Sequence, residues 1–287
     1  MSGAAGGSGD NPWQDNRGNK DRSITKSSVA GGEGMAYAVA GARGGARAPR
    51  QDGDAFLTGD QMTGGYGAAD ILHDCTIEAH AGEIAVIVGP NGAGKSTAMK
   101  AIFGMLRLRG GSVRIGGEEI THLSPQARVA KGMAFVPQTN NVFPSMTVEE
   151  NLEMGAFLRQ DDISGTMAQV YELFPILREK RRQAAGELSG GQRQQVAVGR
   201  ALMTQPKVLM LDEPTAGVSP IVMDELFDRI VEVARTGITI LMVEQNARQA
   251  LEIADRGYVL VQGRNAYTGT GAELLANPDV RRTFLGG

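Results

Sequence analysis

The stretch Gly89-Pro-Asn-Gly-Ala-Gly-Lys-Ser-Thr97 lies between an apolar run, Ile84 to Val88, and a segment with helical character, Ser96 to Leu106. Glycines, a lysine and a serine at this spacing are typical of a loop that joins a strand to a helix and wraps phosphate oxygens with backbone N–H groups. Gly92 and Gly94 lack a Cβ, so the chain can turn with positive φ close to the anion. The following helix adds free N–H donors and the positive end of its dipole. We therefore predict a fold built around a phosphate-binding loop.

All nine residues of this loop are candidate nucleotide contacts: Gly89, Pro90, Asn91, Gly92, Ala93, Gly94, Lys95, Ser96 and Thr97. Lys95 is predicted to reach the β- and γ-phosphates and so to take part in catalysis, and the Ser96 hydroxyl is predicted to bind Mg²⁺. The alternative is a chance glycine-rich turn. A strand on one side and a helix on the other argue against that alternative.

A second apolar run, Val208 to Leu211, is followed by Asp212, Glu213 and Pro214. Such a run is typical of a parallel strand buried on both faces, which places the two carboxylates where the strand leaves the sheet. Asp212 is predicted to hold Mg²⁺ directly or through a water, and Glu213 to polarise the attacking water as a general base. A strand that simply ends in solvated acids is the alternative, and it fits poorly with a phosphate-binding loop in the same chain.

A third motif, Leu188-Ser-Gly-Gly-Gln192, opens another helix. Ser189 and Gln192 have the spacing of a capping box, so local structure alone accounts for them. Gly190 and Gly191 remain unexplained, because each weakens a first helical turn by about 1 kcal/mol relative to alanine. Bare residues at a positive helix end suit a bound phosphate. Since the loop at 89–97 has its own helix, we predict that this second anion site serves nucleotide bound to another subunit.

From about residue 55 to 287 the chain resembles the ATPase subunit of an ATP-binding cassette (ABC) transporter. The family's landmarks occur in order: the phosphate loop Gly89 to Thr97, a glutamine loop Phe135-Val-Pro-Gln138, a signature Leu188 to Gln192, and an acidic strand Val208 to Pro214. The resemblance implies ATP and Mg²⁺ as cofactors, with Gln138 near both. It also implies that Tyr66, in Gly65-Tyr-Gly67, stacks on adenine, although Tyr66 alone would be interpreted as a tyrosine at a turn.

The order of apolar runs predicts an α/β fold. Strands are predicted at 71–77, 84–88, 113–115, 133–136, 208–211, 238–243 and 258–261, and helices within 147–180 and from Ser189, Pro220 and Ala247. Their alternation favours a mostly parallel sheet with helices on both faces. The resemblance implies a P-loop NTPase (RecA-like) class with an N-terminal antiparallel β part and an inserted helical subdomain. The predicted division is a disordered Gly/Ala/Ser-rich tail (1–53) and an ATPase domain (54–287), with a core of 54–138 and 189–287 and a helical subdomain of 139–188.

Two positions depart from the general family pattern. Gln245 stands where most such ATPases have a switch histidine; its amide can hydrogen-bond a γ-phosphate and a water but cannot relay a proton, so we assign it a catalytic positioning role. The alternative for Gln245 is a polar cap of the next helix. Ser219 stands where many relatives carry aspartate, and before Pro220 it has the character of a helix N-cap. The part that this loop plays between subunits is therefore left open at Ser219.

Val243 to Asn246, Phe143 to Leu152 and Phe284 to Gly287 resemble the ATPase subunits of branched-chain amino-acid importers and their urea or amide relatives. The lipopolysaccharide-export ATPase is also similar, but it is expected to have a histidine at the position of Gln245. In one respect the chain differs from the importer group, because its signature continues Gln192-Arg-Gln-Gln195 where that group more often has an acidic residue.

The resemblance implies ATP hydrolysis in a head-to-tail pair, at the cytoplasmic face of the inner membrane. The partners implied are a second ATPase subunit, with a heterodimer preferred over a homodimer, permease subunits coupled through the helical insertion, and indirectly a periplasmic binding protein. A soluble chromosome or repair ATPase of the same family would have long coiled coils or a second cassette, and neither is present. A soluble iron–sulfur assembly ATPase remains an alternative. A module that holds nucleotide without turnover is disfavoured, because Lys95, Asp212 and Glu213 are all present.

Composition narrows these classes further. The chain has 287 residues, 41% hydrophobic composition and a net charge of −3, so no basic excess suggests nucleic acid as a partner. No run approaches the roughly 18 apolar residues of a spanning helix, and the start lacks a secretion signal. The single cysteine, Cys75, excludes an internal disulfide and is predicted to be a small buried hydrophobe.

Overall fold

The computed structural model describes residues 55–285, so the predicted tail (1–53), Gly286 and Gly287 lie outside the described residues. The strands are β1 (Leu57–Gly64), β2 (Leu72–Ala79), β3 (Ile84–Val88), β4 (Leu108–Ile115), β5 (Glu118–Glu119), β6 (Met133–Val136), β7 (Val208–Asp212), β8 (Thr239–Val243), β9 (Arg256–Val261) and β10 (Arg264–Gly269). The helices are α1 (Lys95–Phe103), α2 (Pro125–Ala130), α3 (Val148–Gly155), α4 (Ser164–Leu173), α5 (Pro175–Glu179), α6 (Gly190–Leu202), α7 (Pro220–Arg235), α8 (Ala247–Glu252), α9 (Gly271–Ala276) and α10 (Pro278–Phe284).

A six-stranded sheet in the order β10-β9-β3-β8-β7-β6 forms the centre of the fold. All neighbouring pairs in it are parallel except β9 with β10. Every residue of β3, β7 and β8 is buried, as expected for parallel strands covered on both faces. The predicted mostly parallel α/β sheet is confirmed.

The two faces of this sheet belong to two hydrophobic clusters. In β3, Ile84, Val86 and Val88 join one cluster, whereas Ala85 and Ile87 join the other. The first cluster includes apolar side chains of α3 to α9, and the second includes those of α1 and the smaller sheet. Because alternate residues of a strand point to opposite faces, one five-residue strand contributes to both clusters.

A smaller antiparallel sheet, β2-β1-β4-β5, provides the antiparallel β part that the resemblance implied. Sequence patterns did not indicate β1, whose glycines and aspartate are poor strand formers. It is a strand because it pairs with β2 on one side and with β4 on the other. The patterns also missed β5, β10, α2, α9 and α10.

The predicted helical insertion consists of three short helices, α3, α4 and α5. The first begins with a complete capping box between Thr147 and Glu150. Just inside it, the buried Asn151 side chain accepts from the backbone N–H of Phe143 (2.8 Å) and donates to the carbonyl of the same residue (3.0 Å). The insertion is thus anchored to the segment that leads into it from the glutamine loop.

Two further details bear on the sequence predictions. Helix α1 was expected to run to Leu106, but it ends at Phe103 because Gly104 adopts a left-handed conformation (φ 84°) and caps it. Cys75 is buried, as predicted, and burial raises the pKa of its thiol to about 12. Among the helices of residues 55–285, none has the length and apolar character needed to cross a membrane.

Candidate nucleotide site

The phosphate-binding loop joins β3 to α1, as predicted. Gly89, Gly92 and Gly94 all have positive φ (147°, 78° and 96°). A Cβ on Gly89 would lie 2.2 Å from the carbonyl oxygen of Leu260, so a side chain is sterically excluded there. The Lys95 ammonium folds back over the loop and donates to the carbonyls of Gly89 (2.9 Å) and Pro90 (3.1 Å). These bonds hold the lysine side chain over the phosphate-binding loop, whose backbone N–H groups are the predicted phosphate donors.

Lys95 is buried, and burial lowers the pKa of its ammonium, while the nearby carboxylates Glu213 and Asp212 act in the opposite direction. These two acids come from the far end of β7, more than a hundred residues along the chain. The fold nevertheless brings them close to the loop, since Asp212 lies within hydrogen-bonding distance of Ser96, the residue after Lys95.

A direct contact joins the loop to the acidic strand, since the Ser96 hydroxyl donates to a carboxylate oxygen of Asp212 (3.1 Å). Burial raises the pKa of Asp212, and the hydrogen bond from Ser96 opposes that rise. Among residues 55–285, no group of three or more His, Cys, Asp or Glu side chains is arranged to hold a metal ion. Mg²⁺ in such sites uses one or two protein oxygens together with phosphates and waters, so the pair Ser96 and Asp212 fits that ion.

Glu213 has the left-handed backbone conformation (φ 47°), which is uncommon for a residue with a side chain. Its N–H donates to the carbonyl of Val243 in the adjacent strand (2.9 Å). Its carboxylate accepts a hydrogen bond from the amide nitrogen of Gln138 (2.7 Å). The sequence suggested both residues separately but did not predict that they touch. The Gln138 carbonyl oxygen is the atom of this amide suited to a metal ion or its water.

Gln245 lies at the same edge of the sheet. It follows β8 by two residues, and β8 pairs with β7 in the register Asp212 to Val243. Its side chain is exposed, and the N-cap of α8 is Asn246, whose side chain makes no capping hydrogen bond to the helix. The alternative interpretation of Gln245 as a helix cap is therefore wrong, and its catalytic role stays a prediction.

Glu244 is a candidate functional residue that the sequence motifs did not identify. Glu244 is 1% exposed, and its carboxylate accepts from the Thr215 N–H (3.0 Å), the Thr215 hydroxyl (2.8 Å) and the Gln245 N–H (3.0 Å). Burial raises the pKa of Glu244, while these hydrogen bonds lower it. The sequence did contain a pattern that indicates Glu244, because this acid directly follows the apolar residues of β8, as Asp212 directly follows the apolar residues of β7.

Tyr66 lies in the turn after β1, with 51% of its surface exposed. The Lys100 ammonium of α1 lies 5.9 Å from the ring centroid, so the ring stands beside the helix that begins at the phosphate loop. Arg109 braces the turn by donating to the Gly67 carbonyl and the Asp70 carboxylate. An exposed, braced aromatic ring in this place is suited to stacking on a base.

The signature forms the start of α6. Its capping box is complete: the Gln192 N–H donates to the Ser189 hydroxyl (3.3 Å), and the Gln192 side chain accepts from the Ser189 N–H (3.1 Å). Gly191 is buried, and a Cβ there would lie 2.0 Å from Val222 in α7. Packing within the chain therefore explains Gly191. Gly190 is exposed, and the nearest atom to a Cβ there would be the carbonyl oxygen of Gly217, 3.9 Å away, so packing does not explain this glycine.

Ser219 is the N-cap residue of α7 with Pro220 in the first turn, but its side chain makes no capping hydrogen bond. The predicted cap is correct in position only. Ser219 is exposed, as are Ala216 and Gly217 in the loop that follows Asp212 and Glu213.

A buried hydrogen bond connects the glutamine loop to the signature helix. The Asn141 amide donates to the Gln194 carbonyl oxygen over 2.6 Å. Asn141 follows Gln138 by three residues, and Gln194 follows Gln192 by two. The segment that leaves the acidic site is thereby tied to the helix that carries the signature.

The fold and this geometry define a P-loop nucleotide-binding ATPase. The ABC transporter family matches residues 72–216. The chain is 47% identical to the high-affinity branched-chain amino acid transport ATP-binding protein BraG of Pseudomonas aeruginosa, over 81% of this chain and 100% of BraG. It is 42% identical to the probable branched-chain amino acid transport ATP-binding protein LivF of Archaeoglobus fulgidus, over 79% of this chain and 97% of LivF.

More distant is the lipopolysaccharide export system ATP-binding protein LptB of Escherichia coli K12, at 34% identity over 81% of this chain and 98% of LptB. Among solved structures, the ADP conformation of an ATP-binding cassette of an ABC transporter superposes with a TM-score of 0.74 at 30% identity, over 81% of this chain and 99% of that one. The chain belongs to the ABC transporter family and is one of its ATP-hydrolysing subunits.

Proposed function

We propose that this ATPase powers an importer of branched-chain amino acids or related small polar solutes. The similarity to BraG along its whole length carries the choice of solute. The site supports the chemistry, because one edge of the sheet combines a phosphate-binding loop, a serine–aspartate pair for a metal ion and a glutamate held by a glutamine. Gln245, at the position of the usual histidine, further favours the importer group over lipopolysaccharide export.

Nucleotide binding is assigned to two surfaces of the chain. Tyr66 offers its exposed ring to adenine, and the backbone of residues 89–97 together with Lys95 receives the phosphates. Ser96 and Asp212 would hold Mg²⁺, which when bound neutralises charge on the β- and γ-phosphates. These residues bind and orient ATP from one side only.

Glu213 is the proposed general base. Its carboxylate is fixed by Gln138 and by the pairing of its backbone with β8, so it is oriented to accept a proton from a water that attacks the γ-phosphate. Gln245 positions that water and the γ-phosphate through its amide. Because Gln138 touches the base directly, a shift of the glutamine loop changes how the base is held.

The other side of the nucleotide is assigned to a partner subunit. Ser189, Gly190 and Gln192 begin a helix whose first turn is exposed, and this turn would close on ATP bound to the other subunit's loop. We propose a heterodimer with a second ATPase of the same family, with a homodimer as the alternative.

The permease is proposed to dock on the helical insertion at the cytoplasmic face of the membrane. Four large apolar side chains are exposed there, at 40% to 78% of their surface: Phe143, Met154, Phe157 and Leu158. Phe143 follows Asn141 by two residues, and Asn141 is hydrogen-bonded to the signature helix. Movement of the permease can therefore reach both Gln138 and the signature through one connected segment.

The role of Glu213 is tested by Glu213→Gln. We expect the variant to bind ATP with unchanged affinity and to hydrolyse it at least about tenfold more slowly, since a general base contributes roughly 10²–10⁴ in rate. Steady-state hydrolysis in the reconstituted complex and equilibrium binding of ATP measure the two effects. Glu252→Gln, an exposed acid in α8, is the control. Unchanged turnover in Glu213→Gln would exclude the assigned role.

The partners are tested by purifying the full-length chain from its native membrane after mild detergent extraction. An integral membrane protein and a second ATPase are expected in the complex, and leucine should stimulate its ATPase activity when a binding protein is present. Recovery with soluble partners alone would support the iron–sulfur-assembly alternative. Recovery of a single ATPase species would establish the homodimer.

A further inference from the structure

Glu244 is a buried carboxylate that the proposed chemistry does not use. It is the first residue after β8 and is 1% exposed. One of its oxygens accepts from the N–H and the hydroxyl of Thr215, and the other accepts from the Gln245 N–H. The backbone of Asn246 is a further donor. A buried charge is costly unless it is fully hydrogen-bonded, so this arrangement requires an explanation.

The groups bonded to the two oxygens of this carboxylate are the N–H and hydroxyl of Thr215 on one side and the N–H of Gln245 on the other. An ionised carboxylate accepts at both oxygens, whereas an amide of the same shape presents an acceptor at one end and donors at the other. A glutamine at position 244 would therefore point N–H groups at N–H groups on one of its two sides. Only a carboxylate satisfies both the Thr215 side and the Gln245 side.

The two sides belong to two parts of the catalytic site. Thr215 follows Glu213 by two residues, and Gln245 follows Glu244 directly. A second bond runs in parallel, because the Asn246 amide donates to the Thr215 hydroxyl (3.1 Å). Below both, the Glu213 N–H is bonded to the Val243 carbonyl. The loop after β7 and the segment after β8 are thus joined at three successive levels beyond the sheet.

We propose that Glu244 is a positioning residue whose carboxylate holds the loop of Glu213 in register with the segment of Gln245. Base and amide then face the same γ-phosphate. The left-handed backbone of Glu213 (φ 47°) persists only where the surroundings hold it, and the bond from Thr215 to Glu244 is one such restraint. This inference rests on the proposed roles of Glu213 and Gln245.

Glu244→Gln is the principal test, made in the full-length chain within its complex. We expect the maximal hydrolysis rate to fall about tenfold, since a misplacement of about 1 Å in a reacting group can cost up to about a hundredfold. The KM and the dissociation constant for ATP should change less than about threefold, because the phosphate loop is untouched. A purely structural role would instead lower the melting temperature and leave the rate per folded molecule unchanged.

Glu83→Gln is the matched control. Glu83 is also a buried carboxylate that accepts a backbone N–H, from His80 over 2.9 Å, but it precedes β3 at the opposite end of the same sheet. The control should lose a comparable amount of thermal stability without any change in hydrolysis rate. Equal loss of rate in both variants would overturn the proposal.

Thr215→Val keeps the shape of the threonine but removes its hydroxyl, and it tests the contact from the other side if Glu244→Gln does not fold. We expect a slower rate in the single variant and a combined loss in the double variant that is smaller than the product of the two single effects, because both changes disrupt the contact between Thr215 and Glu244. Independent, multiplicative effects of the two changes on the rate would contradict the proposed positioning role of Glu244.

A comparison with Glu213→Gln separates this inference from the proposed function. If Glu213→Gln hydrolyses ATP slowly while Glu244→Gln is normal, the positioning role of Glu244 is excluded and Glu213 keeps its role as the base. If Glu213→Gln is normal, the assigned base is wrong whatever Glu244 does. In the Glu213→Gln background, Glu244→Gln should add little to the residual defect.

Discussion

At the scale of single residues, the site is built from side chains that hold each other in place. Gln138 donates to Glu213, Ser96 donates to Asp212, and Lys95 is held by the carbonyls of its own loop. Each of these groups has a defined orientation before nucleotide arrives. Such preorganisation lowers the cost of reaching the reactive geometry. The predictions at this scale therefore concern which atoms of a side chain matter.

Gln245→His is expected to keep ATP hydrolysis within a few-fold of the original rate. An imidazole can donate to a γ-phosphate from a similar position, and the amide already excludes proton relay as a requirement. Gln245→Ala, which removes the hydrogen-bonding group, should be much slower. Steady-state hydrolysis at saturating Mg-ATP compares the three chains. Complete loss in the histidine variant would mean that this site has been rebuilt around the amide.

Tyr66→Ala is expected to weaken ATP binding by about tenfold or more, since stacking of a base on an aromatic ring contributes about 1–3 kcal/mol. Tyr66→Phe keeps the ring and should bind ATP normally. Equilibrium titration with a fluorescent ATP analogue measures both affinities. If the two variants bind equally well, adenine does not stack on this ring.

At the scale of secondary-structure elements, α6 serves both packing and function. Its first turn exposes Ser189 and Gly190, while Gly191 packs against α7 and Gln194 is bonded to Asn141. The two adjacent glycines therefore have different reasons to be glycine. Replacement by alanine should therefore destabilise the fold at Gly191 but not at Gly190.

Gly191→Ala should lower the free energy of unfolding by about 1–3 kcal/mol, because its Cβ would overlap Val222 and core overpacking carries costs of this size. Gly190→Ala is the matched control and should not destabilise the fold, since the atom nearest to the Cβ position would lie 3.9 Å away. Urea unfolding compares the two. Adding Val222→Ala should restore the stability of Gly191→Ala, and failure to do so would refute the packing explanation.

At the scale of the whole molecule, the proposed pairing gives each chain half of a catalytic site. The loop at 89–97, the acids and Gln245 gather at the carboxyl edge of the central sheet, where parallel sheets bind ligands. The exposed start of α6 makes its contacts with its own helix and with α7. We therefore expect ATP to bind to one chain but to be hydrolysed by a pair.

Ser189→Arg should leave ATP affinity of the isolated chain unchanged and abolish hydrolysis, because the bulky cation would obstruct the surface that closes on the partner's nucleotide. Thr268→Arg, at an exposed position of β10, provides a control for the added charge. Binding is measured by titration and pairing by light scattering with Mg-ATP. Loss of ATP affinity in Ser189→Arg would show that the signature acts within its own chain.

Much of the fold could be predicted from local patterns. Continuous apolar runs identified β3, β7 and β8, because strands buried on both faces contain little else. Strands β1 and β10 could not be found this way. In both strands, glycine and polar residues interrupt the apolar ones. These segments are strands because they pair with neighbouring strands, and not because their residues strongly prefer β structure.

The sequence by itself determined the chemical groups of the site, because the phosphate loop, the acids after β7 and the capping box each depend on residues close together in the chain. Tertiary structure alone decided how those groups meet. The bonds from Gln138 to Glu213 and from Glu244 to Thr215 span 75 and 29 residues. Such contacts arise because parallel strands distant in sequence end at one edge of a sheet, where short-range patterns carry no information about which side chains become neighbours.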